Sequence, residues 1–214
     1  MTPRALLLDL DGTLVDTEPL NRAAYRAFFA GRGWDEPDLA LFVGRRAADV
    51  FATEPGPWSK LDPAELAAEV IALIDPDAVP DPLPGAAALL DAADRLRLPV
   101  AIVTSADLAW VHRFATGPLA ALDRAAVLVT GEEIVDGKPD PTGYLLACER
   151  LGVAPAEALA VEDSPAGVRA AVTAGVGTVV AVTTTHEAAA LEVAGADPVV
   201  PQLGTVLELL DPGD

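Results

Sequence analysis

Two aspartates lie close together at the end of an apolar run near the N-terminus. In the stretch LLLDLDGT, Asp9 and Asp11 are two residues apart, and Gly12 and Thr13 follow. Residues i and i+2 of an extended chain point to the same side, so both carboxylates can share one site. One carboxylate can attack an electrophile while the other carries a proton. The glycine permits a sharp turn after the strand. The stretch therefore predicts a reaction centre.

Other polar residues occur where later apolar runs end. Thr104 and Ser105 end the second run, Glu162 and Asp163 end the fourth, and Lys138 lies in a GKPDP loop between the third and fourth. If the strands are parallel, their carboxyl ends open into one crevice. Acids brought that close repel one another unless a cation lies between them. Because Mg²⁺ prefers oxygen ligands and keeps water and substrate phosphate in its shell, we expect a magnesium site.

Three of these residues suit an anion. Lys138 lies between glycine and proline and can neutralise phosphate oxygens or the carboxylate nucleophile. Thr104 and Ser105 precede a predicted helix, where hydroxyls and backbone N–H groups face an incoming anion. The same crevice is thus predicted to bind phosphate.

The elements that position these residues follow from alternation along the chain. Near-continuous apolar runs separated by amphipathic segments are typical of a parallel sheet covered by helices on both faces. The strand-like runs are 5–10, 99–104, 126–130, 158–162, 178–182 and, weakly, 198–201. The predicted helices lie near 85–97, 107–115, 141–151, 166–174, 186–194 and 203–210. The fold class is therefore α/β, with a parallel sheet covered by helices on both faces.

Residues 17–82 interrupt the alternation. They contain helical patterns near 17–32, 46–53 and 63–75, no strand-like run, and a proline-rich connector over 75–85. We predict an all-helical cap over 17–82, inserted after the first strand into a core formed by 1–16 and 83–214. Because the insertion leaves the carboxyl end of that strand, where open α/β sheets bind ligands, it is placed as a lid.

The charge composition excludes some classes of binding partner. The chain of 214 residues has 14 Lys and Arg against 33 Asp and Glu, a formal net charge of −19. So acidic a chain lacks the basic surface that nucleic acids or anionic membranes require. No apolar run approaches the roughly 18 residues of a membrane span, and the N-terminus does not resemble a signal peptide. We expect a cytoplasmic monomer or weak dimer whose partner is a small phosphorylated metabolite.

Four motifs together resemble those of the haloacid dehalogenase-like hydrolase superfamily. They are DLDGT at 9–13, VTS at 103–105, GKPDP at 137–141 and VEDSPAG at 161–167, in the order and with the helical insertion that the superfamily has. The resemblance implies a Rossmann-like core with the first strand at its centre. It also implies that Asp9 is a nucleophile that forms an aspartyl-phosphate, and that Asp11 is the general acid and then the general base.

The same resemblance implies the ligands. Mg²⁺ would be held by Asp9, the backbone carbonyl of Asp11 and Asp163, with Glu162 reaching it through water. The residues implied to bind the phosphate are Thr104, Ser105 and Lys138.

Two positions in the sequence indicate the branch of the superfamily to which the chain is most similar. Dehalogenases lack an acid at the position of Asp11, so carbon–halogen chemistry is not expected. Mutases similar to β-phosphoglucomutase carry a histidine twelve residues after the nucleophile, where this chain has Asn21. We therefore predict a Mg²⁺-dependent phosphatase. A hexose-phosphate mutase is the enzymatic alternative, and a non-catalytic phosphometabolite-binding protein is the alternative of another class.

The stretches DTEPLNRAAY, GRRAAD and TSADLAWVHRF resemble sugar- and polyol-phosphate phosphatases. On that basis Glu18, Asn21 and Arg45 are candidates for contacts with substrate hydroxyls or phosphate. Glu18 fits equally well as an acid that opens a helix, and Arg45 as a solvated surface side chain.

Overall fold

The protein contains a single parallel sheet among the residues that the computed structural model describes, 2–114 and 119–210. Its strand order is β3-β2-β1-β4-β5-β6, so the first strand is central, as predicted for a Rossmann-like core. The strands are β1 (Ala5–Leu8), β2 (Val100–Val103), β3 (Val127–Val129), β4 (Ala158–Glu162), β5 (Thr178–Val182) and β6 (Val199–Val200).

The helices follow the predicted alternation, except that an additional four-residue helix, which was not predicted, lies at Ala121–Arg124. They are α1 (Glu18–Gly31), α2 (Ala47–Thr53), α3 (Pro63–Ala72), α4 (Ala86–Leu96), α5 (Leu108–Phe114), α6 (Ala121–Arg124), α7 (Thr142–Leu151), α8 (Pro165–Thr173), α9 (Ala188–Ala194) and α10 (Leu207–Leu210). Short 3₁₀ helices occupy Leu39–Phe42, Pro155–Glu157 and Leu203–Val206. Residue 115, the last of the predicted helix over 107–115, lies outside the described residues. None of the described helices is long and apolar enough to cross a bilayer.

Both faces of the sheet are buried, which explains the unbroken apolar runs. Leu6 and Leu8 pack with α4 and the C-terminal helical turns, whereas Ala5 and Leu7 pack with α7, α8 and α9. Successive side chains of a strand point to opposite faces, so every residue of β1 meets one of these two layers. The layers fix the strand ends from which the polar residues project.

The first strand is shorter than the predicted run over 5–10. It ends at Leu8 because the chain turns directly afterwards, and the carbonyl of Leu10 accepts the N–H groups of Thr13, Leu14 and Val15. Leu10 is fully buried outside the strand. The turn places Asp9 and Asp11 at the carboxyl edge of the sheet.

Helices α1 to α3, here called the helical insertion, have a hydrophobic cluster of their own. It is built mainly from aromatic side chains, with Tyr25 and Phe42 ring centroids 4.2 Å apart, and Phe28, Phe29, Phe51 and Trp58 beside them. The chain leaves and re-enters the core through paired segments, since Asp16 N–H donates to Asp81 and Leu83 N–H donates to Leu14. The all-helical insertion after the first strand is thus observed. The domain boundaries at 16/17 and 82/83 stay a prediction.

Candidate active site

Three carboxylates meet at the carboxyl ends of the two central strands. Asp9 follows β1, while Glu162 and Asp163 end and follow the neighbouring strand β4. One oxygen from each lies within 4.8 Å of the others, and all three side chains are buried. The sequence therefore predicted correctly that these acids come together.

Lys138 lies between two of these acids. Its Nζ is 2.5 Å from Asp9 Oδ1 and 2.6 Å from Glu162 Oε1, and it also donates to the carbonyl of Val103 at 3.0 Å. Burial by itself lowers the pKa of Lys138, but the carboxylates of Asp9 and Glu162 outweigh it and raise that pKa above its usual value. The ammonium is therefore charged at neutral pH.

Glu162 has both oxygens occupied by hydrogen bonds within the protein. Oε1 accepts from Lys138 and from the Tyr144 hydroxyl at 2.6 Å, and Oε2 accepts from the backbone N–H groups of Asp163 and Ser164. A Cβ placed on Gly167 would lie 1.9 Å from Oε1, which explains the glycine of the VEDSPAG motif. In these contacts Glu162 anchors Lys138. Its predicted place in the shell of a metal stays a prediction.

Asp163 is oriented by hydroxyl groups. Thr13 Oγ1 donates to Oδ1 at 3.3 Å, and Thr185 Oγ1 donates to Oδ2 at 2.5 Å. Gly12 has a φ of +78°, and a Cβ there would come within 2.3 Å of Asp163 Oδ2. The turn after β1 therefore needs a glycine both for its backbone conformation and for the approach of this carboxylate.

The cluster favours an additional cation. Burial raises the pKa of Asp9 to about 8, although the Lys138 ammonium opposes the shift. Burial and the charges of Asp9 and Glu162 likewise raise the pKa of Asp163 well above its usual value. Three carboxylates face one ammonium, so the ionised cluster has an excess of two negative charges.

One carboxylate oxygen of the cluster has no hydrogen-bond partner within the described part of the chain. Asp9 Oδ2 is buried and accepts no hydrogen bond from any described residue. An unpartnered carboxylate oxygen in a cluster of three acids suits a hard divalent cation, because such ions prefer carboxylate oxygens. The residues present thus fit the Mg²⁺ that the motifs imply.

Asp11 is held apart from the cluster by three donors. Thr17 Oγ1 and Trp110 Nε1 donate to Oδ1 at 2.7 and 2.8 Å, and Thr104 Oγ1 lies 3.5 Å from Oδ2. Burial raises the pKa of Asp11 while these donors oppose the rise. The sequence analysis assigned no role in the site to Trp110 or to Thr17.

A cavity of about 320 Å³ lies between the carboxyl edge of the sheet and the helical insertion. Asp9, Asp11 and Thr104 line its floor, and part of its upper wall is apolar. The cavity has space for a small organic phosphate. Further predicted site residues in its lining are Ser105, Glu18, Asn21 and Arg45.

Some predicted substrate contacts have partners inside the protein. Glu18 pairs with Arg22 at 2.5 Å in the first turn of α1, and Arg45 pairs with Glu54 at 2.8 Å. The Ser105 hydroxyl donates to the carbonyl of Gly44 at 3.1 Å, so it joins the core to the insertion. The substrate-binding roles of Glu18, Asn21, Arg45, Thr104, Ser105 and Lys138 stay predictions.

Arg46 forms a second join between the insertion and the core. Its Nη1 donates to the carbonyls of Gly131 and Ile134 at 3.0 and 3.1 Å, and its Nη2 donates to that of Val135 at 2.7 Å. Asp49 holds the guanidinium from the other side. The bound loop leads directly into Lys138. The sequence analysis missed this contact because its partners are backbone carbonyls. Every residue has one, so the residue types do not show which of them bind Arg46.

Residues 3–175 match the family model of the haloacid dehalogenase-like hydrolases. Two relatives are similar to this chain over most of their length. Validoxylamine A 7'-phosphate phosphatase of Streptomyces hygroscopicus subsp. limoneus is 38% identical, covering 88% of this chain and 89% of its own. Hexitol phosphatase A of Escherichia coli strain K12 is 36% identical, covering 82% and 81%.

The structure is also similar to solved ones. A variant of CbbY from Rhodobacter sphaeroides, in complex with xylulose-1,5-bisphosphate, superposes with a TM-score of 0.76 at 29% identity. The superposition covers 95% of this chain and 96% of that one.

Proposed function

Because the chain belongs to the haloacid dehalogenase-like hydrolases, we propose that it hydrolyses a phosphate monoester of a small sugar or polyol through a phosphorylated Asp9. The match confirms the predicted family, the parallel sheet confirms the predicted α/β fold, and the match together with the two phosphatase relatives confirms the predicted class of enzyme. The observation that carries the proposal is the pair of aspartates at the cavity floor: Asp9 beside the Lys138 ammonium, and Asp11 held separately by hydroxyl and indole donors. The two phosphatase relatives support the substrate class.

In the first step a carboxylate oxygen of Asp9 attacks the phosphorus and the bond to the substrate oxygen breaks. Asp11 gives its proton to that oxygen, so the leaving group departs as a neutral alcohol. Lys138 and the N–H groups after β2 offset the charge on the phosphoryl oxygens. Asp9 then carries the phosphoryl group as a mixed anhydride.

In the second step a water molecule attacks the phosphorus. Asp11, now a carboxylate, accepts the proton of the water, and the bond between phosphorus and the Asp9 oxygen breaks. Inorganic phosphate leaves, and Asp9 and Asp11 regain their starting forms.

We also propose the residues that would hold Mg²⁺. These are Asp9 and Asp163 through their side chains and Asp11 through its backbone carbonyl, with Glu162 farther out. When bound, the cation offsets the negative charge shared by the acids and the phosphate.

The test is release of inorganic phosphate from para-nitrophenyl phosphate and from a panel of sugar and polyol phosphates, with Mg²⁺ and with chelator. Asp9→Asn is expected to abolish turnover while circular dichroism shows an intact fold. Turnover retained by this variant would contradict the mechanism.

The alternatives give different products. With β-glucose 1-phosphate, a mutase forms glucose 6-phosphate, whereas the proposed phosphatase forms free phosphate and glucose. A non-catalytic binding protein releases phosphate from no member of the panel.

A further inference from the structure

Trp110 connects the catalytic edge of the sheet with the helical insertion. It belongs to α5, which follows β2, yet its ring packs against the aromatic cluster of the insertion. At the same time its indole N–H donates to Asp11 Oδ1 at 2.8 Å. One side chain therefore contacts both the insertion and the carboxylate assigned to proton transfer.

The backbone of Trp110 is fixed independently of its ring. Asp107 Oδ1 accepts the Trp110 N–H at 2.7 Å and so sets the start of α5. With the main chain held on the core and the ring packed on the insertion, the direction of the indole N–H depends on how the insertion sits.

The two oxygens of Asp11 are unequal. Oδ1 accepts from Trp110 Nε1 and from Thr17 Oγ1, whereas the one hydrogen bond that Oδ2 accepts from the described residues is the long 3.5 Å contact with Thr104 Oγ1. An indole N–H can only donate, so the oxygen that it binds acts as an acceptor. Oδ2, which has only the longer contact, is therefore the oxygen better placed to carry the transferable proton of Asp11.

We propose that Trp110 is a positioning residue that holds Asp11 with Oδ2 directed at the leaving oxygen, and that it does so when the helical insertion is seated on the core. This inference rests on the proposed function. It assigns to the insertion a part in proton delivery in addition to covering the cavity.

The test uses two leaving groups. A para-nitrophenolate leaves readily without a proton, whereas the alkoxide of a hexitol phosphate needs one. General acids contribute roughly 10²- to 10⁴-fold, so a misdirected acid affects chiefly the second substrate. Trp110→Phe keeps the ring and removes the N–H. We expect kcat/KM for hexitol phosphate to fall by about 10- to 100-fold, and that for para-nitrophenyl phosphate to change by less than about threefold.

Trp58→Phe is the matched control. Its indole N–H donates to the carbonyl of Glu54 at 3.0 Å inside the insertion. The substitution therefore removes an indole N–H that does not bind Asp11. We expect this variant to keep the ratio of the two kcat/KM values. Thr17→Val removes the other donor to Oδ1 and is expected to reproduce the selective loss even if Trp110→Phe folds poorly.

The outcomes separate two failures. If kcat/KM falls equally for both substrates, or falls in neither Trp110→Phe nor Thr17→Val, the positioning role is wrong while the proposed phosphatase activity is unaffected. A wild-type protein that releases phosphate from no member of the panel overturns the proposed function and this inference with it.

Discussion

Lys138 and Glu162 form an ion pair inside the protein, with Nζ 2.6 Å from Oε1 and side-chain exposures of 5% and 0%. The pair lies beside Asp9, whose Oδ1 is 2.5 Å from the same ammonium. Glu162 therefore holds Lys138 against the nucleophile. A buried charge that loses its partner is costly, so this pair couples the stability of the core to the geometry of the site.

Glu162→Gln is expected to reduce both stability and turnover. The variant keeps the shape of the side chain but removes the charge that faces Lys138 Nζ and the Tyr144 hydroxyl. Hydrogen bonds to charged groups contribute about 1.5 to 3 kcal/mol, and we expect a loss of that size in the free energy of unfolding. Urea unfolding and the kcat for para-nitrophenyl phosphate measure the two effects.

Tyr144→Phe is the comparison for that variant. It removes one donor to Glu162 and leaves both charges, so Lys138 keeps its place. We expect lower stability with turnover close to that of the wild type. Equal loss of turnover in both variants would show that Glu162 does not act through Lys138.

Gly167→Ala is expected to destabilise the protein. The added Cβ would lie 1.9 Å from Glu162 Oε1 and 2.0 Å from its Cδ, so the buried carboxylate has to shift away from Lys138. Overpacking of this kind costs about 1 to 3 kcal/mol. Gly31→Ala is the control, since Gly31 ends α1 and an added Cβ there would have no atom of the described residues within 4 Å. The midpoint temperature of thermal unfolding should fall for Gly167→Ala and stay level or rise for Gly31→Ala.

The sequence predicted the strands, the helices and the core motifs because those depend on local periodicity and on short runs of residues. Alternating apolar and amphipathic segments identified the parallel sheet, and acids at run ends identified the carboxyl edge. The predicted strand extends past the end of β1 because Leu10 is as apolar as a strand residue. It instead packs at a turn, where its carbonyl accepts three N–H groups.

The missed residues have contacts that are distant in sequence. Trp110 is 99 positions from Asp11, and Thr185 is 22 from Asp163. A tryptophan or threonine has the same local signature whether its polar atom reaches a carboxylate or solvent, so only the folded chain identifies these partners. The cytoplasmic location and the monomer or weak dimer stay predictions.

Metal removal is expected to abolish turnover, and Mg²⁺ to restore it. In the metal-free protein, burial raises the pKa of Asp9 to about 8 and that of Asp163 above its usual value. Below those pKa values protons compete with the cation, so apparent Mg²⁺ affinity should rise with pH from 6 to 8. Each displaced proton contributes up to about tenfold per pH unit.

Calorimetric titration at several pH values, in buffers of different ionisation enthalpy, measures both the affinity and the protons released. Asp163→Asn should weaken binding and reduce the proton release. An affinity that does not change with pH would show that the carboxylates are already ionised without the metal.

Arg46→Lys is expected to lower turnover although the charge is kept. Lysine cannot reproduce the planar fork with which Arg46 binds the carbonyls of Gly131, Ile134 and Val135. A Cβ on Gly137 would lie 2.7 Å from Arg46 Nε, so the loop is shaped around the guanidinium. Because that loop leads into Lys138, its release should displace the ammonium from Asp9.

We expect kcat/KM for para-nitrophenyl phosphate to fall by about tenfold, corresponding to roughly 1.4 kcal/mol of lost transition-state stabilisation. Limited proteolysis should cut the 131–137 loop faster than in the wild type. Arg26→Lys is the control, because Arg26 forms an exposed pair with Glu36 at 3.5 Å, and such pairs contribute little. If the loop is cleaved faster but kcat/KM is unchanged, the order of the loop does not determine the position of Lys138, and the prediction is wrong.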